Sequence, residues 1–196
     1  MQTFEELELG EKILKSLKSM KFSKPTPVQK ETIPLTLKGK DLIVKAATGS
    51  GKTGACAVPA CQIVDTSCRL PQVLVIVPTR DLALQFATQA QEIGRDKGVS
   101  VFALYGGEGN EDIQEQKLSH GVQILIATPG RLIDFIYSRR VDLSMVKLFA
   151  LDEADEMLSM GFLDDIDFIF QCLTNKPQLL LFSATFPPQI KKICLK

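Results

Sequence analysis

The sequence has no long apolar run: none of its segments approaches the roughly 20 residues that a membrane-spanning helix needs. The N-terminus carries acidic residues without an apolar core, so it does not resemble a signal peptide. An excess of charge is also missing, because 23 basic residues balance 23 acidic ones, and any contact with nucleic acid must therefore be local. We expect a monomeric domain of the cytoplasm, or of the nucleus if the source is eukaryotic, with no membrane partner.

Paired cysteine motifs are missing as well. The five cysteines are odd in number and none of them forms a C-x-x-C pair, which argues against a disulfide framework and against a zinc site. We interpret them as small buried side chains or idle thiols. The single histidine, His120, falls in a predicted loop and receives no role. Internal repeats and low-complexity tracts are absent too, and 196 residues suit one domain.

Apolar runs alternate with segments of helical periodicity along the whole chain. The runs are continuously apolar, as expected for strands that are covered on both faces of a parallel sheet. They lie at residues 41–46, 73–77, 101–105, 123–127, 146–151 and 178–183. Residues 10–20 and 80–96 carry apolar side chains at helical spacing. The alternation predicts an α/β fold, a doubly wound parallel sheet with helices on both faces.

A short polar or glycine-containing motif follows each predicted strand. In chain order the motifs are ATGSGKT, PTRDL, GG, TPGR, DEAD and SAT. Open α/β sheets bind their ligands outside the carboxyl ends of the strands. We therefore expect all six motifs at one edge of the sheet.

The motif after the first strand, KAATGSGKTG at residues 45–54, predicts a phosphate-binding loop. Gly49 and Gly51 allow backbone amides to turn toward an anion, and the helix that follows adds its positive end. Lys52 can reach the β and γ phosphates of a nucleotide, and the Thr53 hydroxyl suits Mg²⁺. The alternative is a tight strand–helix turn with an exposed lysine.

Crowded carboxylates follow the fifth strand in the segment LDEADE. A nucleotide brings Mg²⁺ with it, and Asp152 at the strand end is placed to hold that ion or its waters. Glu153 is placed to orient and deprotonate a water molecule. The alternative is that the acids of residues 152–156 only decorate a helix N-terminus, where the helix dipole favours negative charge.

The six motifs in this order resemble those of the DEAD-box RNA helicase family, specifically its N-terminal RecA-like domain, a P-loop NTPase fold. The family's phosphate loop reads A-x-T-G-x-G-K-T, so Ala46 fits it. The resemblance spans essentially the whole chain, and the residues around the motifs are most similar to those of bacterial cold-shock-type members. It implies an adenine-recognition segment at residues 1–30, packed on a RecA-like domain at residues 31–196, and a second RecA-like domain outside this chain.

The resemblance also implies a set of ATP-binding residues. The segment KFSKPTPVQ is similar to the family's adenine-recognition motif, with Lys21 in place of a glycine. Phe22 offers a stacking face and the Gln29 amide suits an adenine edge, although Gln29 alone would equally suit a helix surface. Expected contacts to ATP come from Phe22, Thr26, Gln29, Thr48, Gly49, Ser50, Gly51, Lys52 and Thr53. Expected ligands of Mg²⁺ are Thr53 and Asp152, and the expected catalytic residues are Lys52, Asp152 and Glu153.

Three further motifs resemble those with which the family grips the RNA backbone. Their residues are Thr79, Arg80, Gly106, Gly107, Thr128, Pro129, Gly130 and Arg131. Glycine amides, threonine hydroxyls and arginines suit phosphates and read no bases. Each arginine could instead form a surface salt bridge. A last set is expected to couple the ATP state to RNA through hydrogen bonds to Asp155. It consists of Asp155, Ser183 and Thr185.

The resemblance implies an ATP-dependent RNA helicase, an RNA-stimulated ATPase, of which this chain carries the ATP-binding part. Without the arginine finger of a second domain, worth about 10³–10⁵ in turnover, we expect the chain alone to bind nucleotide but to be nearly inactive. Two alternatives stay open. One is a DNA-directed ATPase of superfamily 2, and the other is a non-catalytic ATP-dependent RNA clamp.

Overall fold

A six-stranded parallel sheet forms the centre of the molecule in a computed structural model that describes residues 3–107 and 111–190. The strands are β1 (Leu42–Lys45), β2 (Val73–Ile76), β3 (Val101–Leu104), β4 (Ile124–Ala127), β5 (Leu148–Leu151) and β6 (Gln178–Ser183). Their order across the sheet is β1-β6-β5-β2-β4-β3, and every neighbouring pair is parallel. The predicted fold class is therefore confirmed, and every strand falls within an apolar run that predicted it.

Helices cover both faces of the sheet and enclose two separate apolar cores. The helices are α1 (Glu11–Ser19), α2 (Pro27–Leu37), α3 (Lys52–Ile63), α4 (Arg80–Gly94), α5 (Glu111–Ser119), α6 (Pro129–Tyr137), α7 (Ala154–Ser159) and α8 (Leu163–Gln171). Helices α1 to α4 contribute to the first core, whereas α6, α7 and α8 contribute to the second. Short 3-10 helices lie at Phe4–Leu7 and Arg95–Lys97. Among the described residues, no helix is long and apolar enough to span a membrane.

The expectation that every strand is covered on both faces is wrong for β1. Strands β2, β4 and β5 are buried throughout, but β1 alternates, and Ile43 is 57% exposed. The reason is its place at the sheet edge, where one face of the strand has no helix over it.

The free thiols agree with the sequence, because the four cysteines in the described ranges form no disulfide, and Cys194 lies outside those ranges.

The parallel order brings the carboxyl ends of all six strands to one edge of the sheet. The segments that follow these ends include the phosphate loop after β1, the starts of α4 and α6 after β2 and β4, and the acidic segment after β5. This edge is where the sequence placed its six motifs, and it is where the candidate site lies.

Candidate active site

The loop between β1 and α3 has the backbone of an anion-binding turn. Gly49 and Gly51 adopt φ angles of 80° and 97°, in the left-handed region that a side chain disfavours. A Cβ atom at Gly51 would lie 2.6 Å from Thr26 Oγ1, so glycine is also required by the space available. The loop ends at the first residue of α3, Lys52, whose side chain is only 5% exposed. The alternative of a simple turn with an exposed lysine is therefore wrong.

A cavity of about 250 Å³ lies against this loop. Its walls are the phosphate loop with the start of α3, the α4 side chains Leu82, Gln85 and Gln89, and the pair Asp152 and Glu153. A larger groove of about 590 Å³ between α2 and β1 contains neither Lys52 nor this acidic pair. The smaller cavity therefore contains the three side chains that the sequence predicted to be catalytic, Lys52, Asp152 and Glu153.

Lys52 and the acidic pair face each other within this cavity, as predicted. The Lys52 Nζ atom lies 2.8 Å from Glu153 Oε1, and among the described residues it has no acceptor in hydrogen-bonding geometry. Asp152 is buried, and its Oδ1 accepts a hydrogen bond of 2.9 Å from the Glu153 amide. An ammonium carries three N–H donors, so beyond its ion pair with Glu153 it can donate to further acceptors, and phosphate oxygens would supply them.

The backbone at Glu153 is strained. This residue adopts φ 54° and ψ 50°, a left-handed conformation that costs a non-glycine residue about 1–3 kcal/mol. It stands between the end of β5 and the first turn of α7. The sharp turn lets two successive carboxylates border one cavity, so the strain occurs where the predicted chemistry requires it.

Burial raises the pKa of Asp152 from its ordinary value of 3.8 to about 6. Lys52 opposes this change, while the neighbouring Glu153 and loss of solvent both favour the neutral form. The alternative of solvated acids at a helix N-terminus is therefore wrong for Asp152. It does fit Glu156, which is exposed in the first turn of α7.

Asp152 should consequently reduce the stability of the nucleotide-free chain. A carboxyl with a higher pKa in the folded than in the unfolded state binds more protons when folded, so stability falls as pH rises through that interval. For Asp152 the interval runs from 3.8 to about 6, and above it the cost is about 3 kcal/mol. We expect Asp152→Asn to raise the melting temperature by several degrees at pH 7.5.

Thermal melts at several pH values check this expectation. The advantage of Asp152→Asn should shrink to about half at pH 5, because the wild-type carboxyl is then largely neutral when folded. The matched control is Asp134→Asn on the exposed face of α6. A variant that melts at or below the wild-type temperature at pH 7.5 would show that Asp152 is not destabilising.

The adenine-recognition segment is joined to the phosphate loop by Gln29. Its Oε1 accepts a hydrogen bond of 3.0 Å from the Thr26 amide, and its Nε2 donates one of 3.1 Å to the Gly51 carbonyl. Gln29 is buried, so the alternative of a helix-surface residue is wrong.

The turn before Phe22 forms despite the lysine that replaces the family's glycine. Lys21 adopts φ 59°, and the Phe22 amide donates a hydrogen bond of 2.9 Å to the Leu17 carbonyl at the end of α1. Phe22 is half-buried and borders a groove that also contains Gln89, a residue of the nucleotide cavity. The aromatic ring therefore lies near one wall of the nucleotide cavity, and its stacking on adenine stays a prediction.

Asp155, the acidic residue of the predicted coupling set, makes the hydrogen bonds that the sequence predicted. Asp155 Oδ2 accepts bonds from the Thr185 amide at 3.0 Å and the Thr185 hydroxyl at 2.8 Å. The Asp155 amide donates to Ser183 Oγ at 3.2 Å, and the Ser183 hydroxyl donates to the Thr185 carbonyl at 2.6 Å. The contacts are thus confirmed, whereas their role in coupling stays a prediction.

The predicted RNA-contacting residues meet at the same sheet edge in two different settings. Thr79 and Thr128 stand at the N-caps of α4 and α6. Gly106, Gly107 and Gly130 are exposed, as is Arg80, whose guanidinium lies 4.9 Å from the Tyr105 ring centre. Pro129 is buried at the start of α6.

Arg131 differs from Arg80 because its side chain is only 8% exposed. Its Nη2 donates to the Gly107 carbonyl at 3.4 Å, and its Nη1 lies 3.2 Å from Glu111 Oε1. A direct contact of Arg131 with RNA stays a prediction, and the structure shows a guanidinium directed at its own protein.

Three glutamines belong to these surfaces but were not predicted. Gln85 and Gln89 of α4 line the nucleotide cavity. Gln85 lies three residues after Leu82 and Gln89 four residues after Gln85, and this spacing is the signal that could have placed both on the Leu82 face of the helix. Gln114 of α5 donates a hydrogen bond of 3.1 Å to the Tyr105 carbonyl, and no pattern in the sequence predicted this contact.

Taken as a fold and a site, these features define a P-loop nucleotide-binding domain of the RecA-like type. Comparison with known proteins then gives the family. The sequence model described as "DEAD/DEAH box helicase" matches residues 26–193, so the chain belongs to the DEAD/DEAH box helicase family.

Individual relatives agree with this membership. The chain is 46% identical over 195 residues to the ATP-dependent RNA helicase CshA of Listeria monocytogenes, covering 98% of this chain and 37% of that protein. It is 44% identical over 192 residues to the ATP-dependent RNA helicase DeaD of Klebsiella pneumoniae, covering 97% of this chain and 30% of that protein. It thus spans about a third of the length of these curated relatives.

Solved structures show the same fold. The crystal structure of a DEAD box protein from the hyperthermophile Methanococcus jannaschii superposes with a TM-score of 0.95 at 36% identity, covering 100% of this chain and 53% of that one. A hypothetical ATP-dependent RNA helicase from Sulfolobus tokodaii gives a TM-score of 0.86 at 39% identity, covering 95% of this chain and 54% of that one.

Proposed function

We propose that this chain is the ATP-binding domain of an ATP-dependent RNA helicase that acts as an RNA-stimulated ATPase. The observation that carries the proposal is the buried Lys52 ammonium facing Asp152 and Glu153 beside a phosphate-binding loop. The names of the bacterial relatives support RNA over the DNA-directed alternative. Because both Lys52 and Glu153 are present, the non-catalytic clamp has no support.

The proposal includes the predicted division of the chain. Residues 1–30 would serve as the adenine-recognition segment and residues 31–196 as the first RecA-like domain, with a second such domain as its partner. Packing of α1 and α2 onto α3 and α4 supports the first part. We also propose a cytoplasmic location, which the bacterial origin of the curated relatives supports. That origin leaves a nuclear location unsupported.

The donor set fits a magnesium nucleotide. Amides of residues 48–51 and the start of α3 would hold phosphate oxygens, together with Lys52. Thr53 and Asp152 would hold Mg²⁺, which takes oxygen ligands, one or two of them carboxylates, and keeps phosphates and waters as the rest. Among the described residues, no group of three or more His, Cys, Asp or Glu side chains could hold a metal ion. A magnesium ion that is held largely by phosphates and waters does not need such a group. The bound ion supplies positive charge that neutralises the phosphate oxygens.

Glu153 would act as the general base. Its carboxylate borders the cavity, and in this structure it lies 2.8 Å from Lys52 Nζ. When Lys52 is engaged by phosphate, Glu153 is left to accept a proton from a water molecule. The left-handed backbone at this residue fixes the direction from which the carboxylate approaches.

Adenine selectivity would follow from the fixed orientation of the Gln29 amide. The Thr26 amide can only donate and the Gly51 carbonyl can only accept, so Gln29 cannot rotate its amide without losing both bonds. One lone pair on Oε1 and one N–H on Nε2 remain for a base. This pair matches adenine, which has a donor at N6 and an acceptor at N7, and does not match guanine, which has two acceptors there.

Gln29→Ala should therefore lower ATP affinity about tenfold and abolish the preference for ATP over GTP. Competition binding of the two magnesium nucleotides to the chain measures both quantities. The control is Gln91→Ala, an exposed glutamine of α4. An unchanged ratio of ATP to GTP affinity in Gln29→Ala would exclude Gln29 as the source of selectivity.

RNA would bind along the motifs at the starts of α4 and α6 and the loop at residues 105–107. Their exposed glycine amides and the Arg80 guanidinium suit phosphates, so we propose backbone contacts with little sequence specificity. The decisive experiment measures ATP turnover of the full-length protein with single-stranded RNA and with DNA of the same sequence. We expect strong stimulation by RNA alone and little turnover by the 196-residue chain. Equal stimulation by DNA would contradict the RNA assignment.

A further inference from the structure

We propose that Gln114 of α5 is a positioning residue, which holds the loop of residues 105–107 in the shape that binds an RNA phosphate. The inference rests on the proposed RNA function. It concerns a residue that does not touch RNA but determines the direction of a backbone amide that does.

Gln114 is unusual for its helix. It is the buried residue of α5, 5% exposed, and the other side chains of this helix are exposed or half-exposed. Burying an amide costs free energy unless it makes hydrogen bonds, so a hydrophobic side chain would serve packing better. The bond that Gln114 makes is from Nε2 to the Tyr105 carbonyl, at 3.1 Å. Its Oε1 is buried without a partner among the described residues. Packing alone therefore does not explain the choice of glutamine.

Peptide geometry turns this bond into a constraint on Gly106. In a trans peptide the carbonyl and the following N–H point in opposite directions, and no peptide bond in the described chain is cis. The bond to Gln114 holds the Tyr105 carbonyl toward α5, so the Gly106 N–H points away from α5. Gly106 is exposed, and its amide donates to no backbone acceptor among the described residues. Such an amide is available to a phosphate oxygen.

Neighbouring side chains hold the same loop without closing it. The buried Arg131 donates to the Gly107 carbonyl at 3.4 Å and is itself paired with Glu111 of α5. The Arg80 guanidinium lies over the Tyr105 ring of the same loop. Helix α5 is thus tied to the loop at two carbonyls, through Gln114 directly and through Arg131. These contacts restrict the loop before any phosphate arrives, and such restriction would lower the entropy cost of binding.

The test is RNA binding by the full-length protein carrying Gln114→Leu or Gln114→Met, measured by fluorescence anisotropy with labelled oligouridylate at several KCl concentrations. We expect the dissociation constant to rise about fivefold, as for partial loss of a hydrogen bond to a charged group. The salt dependence should stay unchanged, because no cation is lost. By contrast, Arg80→Ala should reduce the salt slope by about one. Magnesium–ATP affinity and the melting temperature should match those of wild type.

The matched control is Gln116→Leu, which changes an exposed glutamine of the same helix and should leave RNA affinity unaltered. In a ¹⁵N-labelled chain, the Gly106 amide signal should move on RNA addition in wild type and much less in Gln114→Leu.

Three outcomes would contradict the inference, each in a distinguishable way. If wild type binds RNA and both Gln114 variants bind it equally well, the positioning role alone is refuted. If both variants lose the folded state by circular dichroism, Gln114 acts in folding and the inference is overturned. If the full-length wild-type protein binds no RNA, the proposed function is refuted together with the inference.

Discussion

Lys52→Ala is expected to weaken magnesium–ATP binding by the chain about 100-fold, a loss of about 3 kcal/mol. Among the described residues, Lys52 is the only cation that lines the cavity, where it faces Asp152 and Glu153. Without it the two carboxylates would confront the triphosphate with little compensation. Loss of a buried partner charge has a far larger effect than loss of a surface one.

Calorimetric titration with magnesium–ATP measures this loss. The control is Lys38→Ala at the exposed end of α2, which should bind ATP as wild type does. Because Lys52 lowers the pKa of Asp152, its removal should also raise that pKa further and neutralise the carboxyl more readily. If Lys52→Ala bound ATP within about threefold of wild type, a phosphate-binding role for this lysine would be untenable.

Glu153→Gln is expected to lower RNA-stimulated ATP turnover of the full-length protein about 10³-fold while leaving ATP binding intact. The amide keeps the size of the side chain but cannot accept a proton from water. It also removes the ion pair with Lys52, so the lysine is available to phosphate and binding should not weaken. The RNA-bound, ATP-bound state should then persist, because its exit depends on hydrolysis.

Phosphate release in the presence of RNA measures the turnover, and the lifetime of the RNA complex measures the trapping. Glu156→Gln is a close control, since Glu156 lies three residues further on, in the first turn of α7, and is exposed. That variant should hydrolyse ATP normally. Normal turnover in Glu153→Gln would mean that another group deprotonates the water.

Much of the fold could be predicted because each strand corresponds to a continuous apolar run in the sequence. Each run became a strand, and the motifs after the runs came to one edge because parallel strands share the direction of their carboxyl ends. The exposure of β1 could not be predicted in this way. Strand position in the sheet depends on pairing with β6, some 140 residues away, and Ile43 looks like any buried isoleucine in the sequence.

The site was predictable where one segment carries the chemistry, as in the phosphate loop and the acidic pair. It was less predictable where two distant segments meet. Gln29 has its role because its amide reaches Gly51, a contact between segments 22 residues apart. The motif that contains Arg131 reads the same whether this side chain faces solvent or Glu111. Which of the two it faces depends on how α5 packs, and the sequence does not show that packing. Gln114 belongs to no motif, and its role depends on a single carbonyl nine residues earlier.

Asp152 and Glu153 also show why such a site is costly to keep. One carries a carboxyl whose pKa is raised by burial, and the other holds a left-handed backbone. Neither feature stabilises the empty fold, and both make sense if a cation and phosphates compensate them. The sequence could indicate the residues but not these costs, which arise from burial and backbone geometry.

The most direct measurement is a crystal structure of the chain with magnesium and a non-hydrolysable ATP analogue. We expect the Lys52 ammonium within about 3 Å of phosphate oxygens and a metal ion about 2.1 Å from its oxygen ligands, on the side of the cavity that carries Thr53 and Asp152. The adenine edge should face the Gln29 amide. A nucleotide bound elsewhere, for example in the groove between α2 and β1, with Lys52 still paired to Glu153, would contradict the account.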